Sequence, residues 1–139
     1  MTQAPALRPA ICLAFDFGEV RIGVAVGNSL TGSAQSLGII QAPDNATRFS
    51  RIADFIKQWQ PDALVVGVPR HPDGAPHEMT LRCEKFSRQL EGRFAKPVFC
   101  VDERYTSVEA SSRVTRKQVD DVAACIILEQ FFSQQSSTS

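Results

Sequence analysis

The sequence predicts an α/β fold: a mixed five-stranded sheet, three antiparallel strands then two parallel ones, with helices on both faces. Three observations predict it. Residues 11–17 (ICLAFDF) and 21–27 (RIGVAVG) are apolar on both alternating faces, as in a strand covered on both sides. ALVVGV (63–68) and PVFCV (97–101) are short apolar runs bounded by turn formers. Between and after these runs, apolar residues recur at helical spacing.

Each element follows from local chemistry. In the first strand Ile11, Leu13, Phe15 and Phe17 share one face, and Cys12, Ala14 and Asp16 share the other. In the second, Ile22, Val24 and Val26 oppose Gly23, Ala25 and Gly27. Only Gly18, Glu19 and Val20 separate the two runs, which predicts a hairpin. A third strand is expected over 34–41, after a turn at Gly32. Asp44 and Asn45 are candidate caps for a helix carrying Phe49, Ile52, Ile56 and Trp59, which Pro61 ends. ALVVGV is a buried strand stopped by Pro69, and RHPDGAP is a loop. A second helix is expected from about Pro76, with Met79, Cys83, Phe86, Leu90 and Phe94 on one stripe. The strand after Pro97 ends at Asp102, Glu103 and Arg104. Thr106 and Glu109 have capping-box spacing for a short helix. The last helix is expected from about Val119 to Phe132.

The 139 residues fit a single domain spanning 1–139, with 1–9 and 134–139 expected as flexible tails. Fifteen basic residues balance fifteen acidic ones, so only a local basic face would speak for nucleic acid. There is no apolar run of membrane-spanning length and no secretory signal at the N-terminus, so a cytoplasmic protein is expected. Cys12, Cys83, Cys100 and Cys125 are far apart and lie within apolar stretches, which reads as four reduced, buried thiols.

The acidic residues carry the chemistry. Asp16 stands in an apolar strand, and a carboxylate buried without a partner is costly. Asp102 and Glu103 end the last strand, and Asp120 and Asp121 open the last helix. In an open α/β sheet, ligands bind beyond the carboxyl ends of the strands. Carboxylates gathered there repel, at about 4 kcal/mol for a pair 4 Å apart at an effective dielectric of ~20. Divalent cations remove that cost, and hard oxygen donors without histidine favour Mg²⁺ or Mn²⁺. Two such ions suit phosphodiester hydrolysis. Gly18 and Gly23 leave room for a phosphate backbone beside Asp16. Bland readings compete: Asp16 as a turn cap, Asp102 and Glu103 as partners of Arg104, and either helix aspartate as a response to the helix dipole. Helical spacing does not choose between Asp120 and Asp121. His71 and His77 read as loop residues. Arg70, Arg82, Lys85 and Arg88, and likewise Arg113, Arg116 and Lys117, read as solvated faces or a basic rim.

FDFGEVRIGVAVG, LVVGVPRHPDG, VDERYTSVEA and VDDVAACIILEQFF, four blocks in order across residues 11–133, resemble the signature blocks of the YqgF (RuvX) family. These RNase H-like proteins are described both as Holliday junction resolvases and as nucleases maturing the 5′ end of pre-16S ribosomal RNA. The resemblance implies an RNase H-like fold. It implies a metal-dependent nuclease in which Asp16, Glu103 and Asp120 are the catalytic, metal-binding acids, leaving Asp121 at a variable position. Asp102 is a candidate assisting carboxylate, and Arg21, Arg104 and Lys117 are candidate substrate contacts. The implied partners are structured RNA or branched DNA, and a resolvase would act as a homodimer. Two departures stand out. The loop after Pro69 reads RHPDG where the family has an L-N-M-D-G-like run, and the stretch from Ala110 to Val119 is short.

Two other functions are compatible with parts of the sequence. A degenerate nuclease serving as an RNA-binding scaffold fits the neutral charge and short loop. The Asp16–Val26 hairpin also occurs in ATPases of the actin and sugar-kinase type, but those need two such domains.

Overall fold

The computed structural model describes residues 11–18, 20–42, 44–69, 78–102 and 116–137, and only the helical backbone of 116–121 and 135–137. The described elements are β1 (Ile11–Phe17), β2 (Arg21–Asn28), β3 (Ser33–Gln41), α1 (Asn45–Trp59), β4 (Ala63–Val68), α2 (Glu78–Phe94), β5 (Val98–Asp102) and α3 (Arg116–Ser137). The helix expected after Thr106 and the RHPDGAP loop lie outside the described residues.

The strands form one sheet of order β3-β2-β1-β4-β5. β1 pairs antiparallel with β2, and β2 with β3; β4 joins β1 and β5 by parallel pairing. This is the mixed sheet that the sequence predicts. The β1–β2 return is tight: a Cβ on Gly18 would stand 2.7 Å from the Arg21 carbonyl oxygen. The β2–β3 turn closes with Gly32 N–H on the Asn28 carbonyl at 2.8 Å, Gly32 taking a φ of 71°. Helix α1 starts where its cap predicts, since the Asp44 carboxylate accepts from the Thr47 N–H at 2.7 Å. Asn45, the other candidate cap, is the first helical residue.

Side-chain alternation builds two different cores. On one face Leu13, Phe15, Ile22, Val24, Leu64 and Val66 pack against Phe49 and Ile52 of α1 and Cys83, Phe86 and Leu90 of α2. On the other, Cys12, Ala14, Ala25, Val65 and Val101 meet Ala124, Ile127, Leu128, Phe131 and Phe132 of α3. Full burial of one such Leu, Ile or Phe contributes about 1.5–3 kcal/mol. The second sheet face is made largely of small residues, so α3 lies close to it. A Cβ on Gly27 would come within 2.8 Å of Leu128 Cδ2 and 2.9 Å of Phe132 Cε2.

These contacts seat the later part of α3 on the sheet. Leu128 and Phe132 lie over Gly27, near the end of β2, and the Phe131 ring is 5.2 Å from that of Phe99, near the start of β5.

Two expectations need correction. Helix α3 begins at Arg116 rather than Val119 and continues to Ser137 rather than Phe132. Its first turn holds no acid, which places Asp120 and Asp121 in the second turn. Attraction to the helix dipole falls off within the first turn, so it does not account for either residue. The second correction concerns the cysteines. All four are free, but only Cys12 and Cys83 are buried; Cys125 is half-buried and Cys100 is exposed, because β5 is an edge strand.

Candidate active site

Asp16 is the next-to-last residue of β1 and pairs with Gly23 across the hairpin. It shares the face of Cys12 and Ala14, the side covered by α3. There it opens into a groove of about 310 Å³ lined by Asp16, Phe17, Gly18, Val20, Arg21, Gly23 and Ile39. The half-buried carboxylate sits at a strand end over a glycine, which leaves the space above it open. Arg21 starts β2 and is exposed on the same groove, so a cation and an anion flank one opening. Asp16, Gly18, Arg21 and Gly23, all singled out in the sequence, are thus brought together. Val20 and Ile39 add apolar walls that the sequence reading left without a role. For Val20, an apolar residue in a three-residue turn was the available signal.

The structure sets Asp102, at the end of β5, apart from Asp16. Register pairs Asp102 with Val68, on the α1–α2 face of the sheet with Val98. Phe99, against Phe131, and Val101 lie on the α3 face. Asp102 therefore faces away from the side that carries Asp16, because successive strand residues alternate. Glu103 and Arg104 lie outside the described residues. Lys117, Asp120 and Asp121 are placed by backbone alone, in the first two turns of α3. With these side chains outside the description, no cluster of three His, Cys, Asp or Glu is found among the described residues. The groove's described donor is the one carboxylate of Asp16, an oxygen ligand of the type that hard cations take.

The fold is that of RNase H-like proteins of the RuvC type. A solved structure of Thermus thermophilus RuvC in complex with a Holliday junction substrate superposes with a TM-score of 0.61, covering 92% of this chain and 97% of that one at 12% identity. The relatives are much nearer in sequence. A protein of Albidiferax ferrireducens is 62% identical over 119 residues, covering 86% of this chain and 75% of its own. One of Burkholderia lata is 50% identical over 138 residues, covering 93% of each. Both carry the name "Putative pre-16S rRNA nuclease". Residues 10–134 match the RuvX family, described as Holliday junction resolvase, and the chain belongs to that family.

Proposed function

We propose that this protein is a metal-dependent nuclease that hydrolyses phosphodiester bonds during 5′-end maturation of pre-16S ribosomal RNA in the cytoplasm. The observation that carries the reading is Asp16, held at the carboxyl end of β1 in an open groove beside Gly23 and Arg21. Family membership and the names of the relatives support it.

In this reading Asp16, Glu103 and Asp120 hold Mg²⁺ or Mn²⁺, two ions together. When bound, such ions supply an activated water and stabilise the leaving oxygen of a phosphodiester. Asp102 faces away from Asp16, which counts against it, and Glu103 is the acid that the resemblance to the family gives. Asp120, on α3, is the helix acid that the resemblance to the family gives. Arg21 contacts a phosphate in the groove, with Arg104 and Lys117 as further substrate contacts. Gly23 lets the strand backbone approach the carboxylate.

A second reading, resolution of branched DNA by a homodimer, is favoured by the family description and by the RuvC-type fold. One experiment tests both. Purified protein with Mg²⁺ or Mn²⁺ is given a 5′-extended 16S RNA and a four-way DNA junction, beside the Asp16→Asn variant. Trimming of the RNA, lost in the variant, is the expected result. Symmetric cutting of the junction alone selects the second reading. Equal cleavage by both proteins overturns the site.

A further inference from the structure

On the sheet face opposite Asp16 lies a second cavity, of about 240 Å³, between α1 and α2. Its polar lining is Asn45, Arg48, Arg82, Lys85 and Gln89, and its floor is Phe17, Phe49 and Phe86. Three cations and two amides line it, and among the described residues no carboxylate does. Arg48 is the unusual member. It is only 7% exposed, its guanidinium carbon lies 5.8 Å from the centre of the Phe17 ring, and its Nε donates to the Ala42 carbonyl at 3.5 Å. Those are the polar and ring contacts of its guanidinium among the described residues, none with a carboxylate. Burying a cation without an anion is costly, and a guanidinium so held is suited to bidentate contact with phosphate. Lys85, exposed one helical turn from Gln89, adds a second cation to the rim.

We infer that this cavity is a phosphate-binding subsite taking a nucleotide phosphate, with Arg48 and Lys85 on the anion and the phenylalanine floor beneath the sugar or base. Asp16 and Phe17 are consecutive residues of β1 on opposite sheet faces, so the cavity and the candidate active site lie at the same sheet end. A single strand rounding the β1–β2 return reaches both. The strand as the source of the phosphate rests on the nuclease reading; a free nucleotide is the other source of the same chemistry.

The test is binding without divalent ion, so its outcome is independent of cleavage. A fluorescein-labelled single-stranded RNA oligonucleotide is titrated in EDTA at several salt concentrations. Inorganic phosphate and a nucleoside monophosphate serve as competitors. Lys85→Glu changes an exposed side chain, and Arg48→Lys keeps the charge while removing the planar fork. Each variant is expected to weaken oligonucleotide binding about tenfold, and Lys85→Glu to lower the salt slope by roughly 0.7. Asp16→Asn is expected to leave the slope contributed by the cavity in place. Loss of monophosphate binding in both variants, with oligonucleotide binding unchanged, assigns the site to free nucleotides. Unchanged binding of oligonucleotide, monophosphate and phosphate in folded Lys85→Glu and Arg48→Lys overturns the subsite. It leaves the nuclease reading to its own cleavage assay.

Discussion

Asp16, next to last in β1, and Asp102, last in β5, lie at the same end of the sheet but on opposite faces. Two strand spacings, about 10 Å, also separate their backbones. In the proposed site a carboxylate sharing ions with Asp16 would come from the α3 face, and Asp102 lies on the other. Glu103→Gln is therefore expected to lower kcat/KM on a 5′-extended RNA by roughly a hundredfold or more, the scale of a lost transition-state ligand. Asp102→Asn is expected to stay within about threefold of wild type. Steady-state cleavage rates of the two variants check this. Equal losses would place both acids in the site.

The close seat of α3 on β2 gives a stability prediction. At Gly27 a methyl group would meet the Ser33 carbonyl oxygen at 2.5 Å and two α3 side chains below 3 Å. Backbone on one side and the packed Leu128 and Phe132 side chains on the other leave little room to relax. Gly27→Ala is expected to destabilise the protein by about 1–3 kcal/mol, read as a lower urea midpoint at unchanged m-value. Because the displaced helix is the one that carries Asp120, cleavage is expected to fall as well.

Much of this arrangement was legible in the sequence, for identifiable reasons. The bounds of β1 and the two faces of the first hairpin follow from alternation, because both faces are buried and side chains report them. The start of α1 follows from Asp44, whose side chain meets the Thr47 N–H it was expected to cap. The start of α3 was misplaced because Arg116, Lys117 and Gln118 are polar and carry no apolar period, yet they are good helix formers. The different faces of Asp102 and Asp16 depend on β1–β4–β5 register, which pairs residues more than thirty apart and has no local signature. The Arg48 cavity was missed because an arginine on a helix reads as solvated. A signal existed: Arg48 precedes Ile52 by four residues and so lies on the buried stripe of α1.

Helix α2 ends on a residue poorly suited to its conformation. Ala95 has a φ of 55°, and its N–H donates to the Glu91 carbonyl at 3.0 Å. This is a left-handed helix terminus, where glycine avoids the Cβ penalty of roughly 1–2 kcal/mol that other residues incur. Glycine also loses more chain entropy on folding, which offsets part of the gain. Ala95→Gly is expected to stabilise by about 0.5–1 kcal/mol. Thermal unfolding would detect it as a rise of a few degrees in Tm; an unchanged or lower Tm would contradict it.

The cysteines are expected to react in the order of their exposure. Cys100 lies exposed on edge strand β5, with its Sγ 3.4 Å from the Ser87 hydroxyl. Cys12 is fully buried, and its thiol is pushed up to about 12, first by desolvation and then by the negative charge of Asp62. Thiolate is the reactive form, so iodoacetamide at pH 8 is expected to modify Cys100 well before Cys12, as peptide mass spectrometry would show. The same shift has a sign for stability. The folded chain holds the Cys12 proton more tightly than the unfolded chain, whose thiol titrates near 8.5. Its contribution is complete below that value and is lost progressively as pH rises from about 8.5 toward 12. Cys12→Ala lacks this titration. The stability gap between wild type and Cys12→Ala, measured by urea unfolding, is expected to narrow from pH 8 to pH 11. A gap that stays constant would mean that Cys12 ionises equally well in the folded chain.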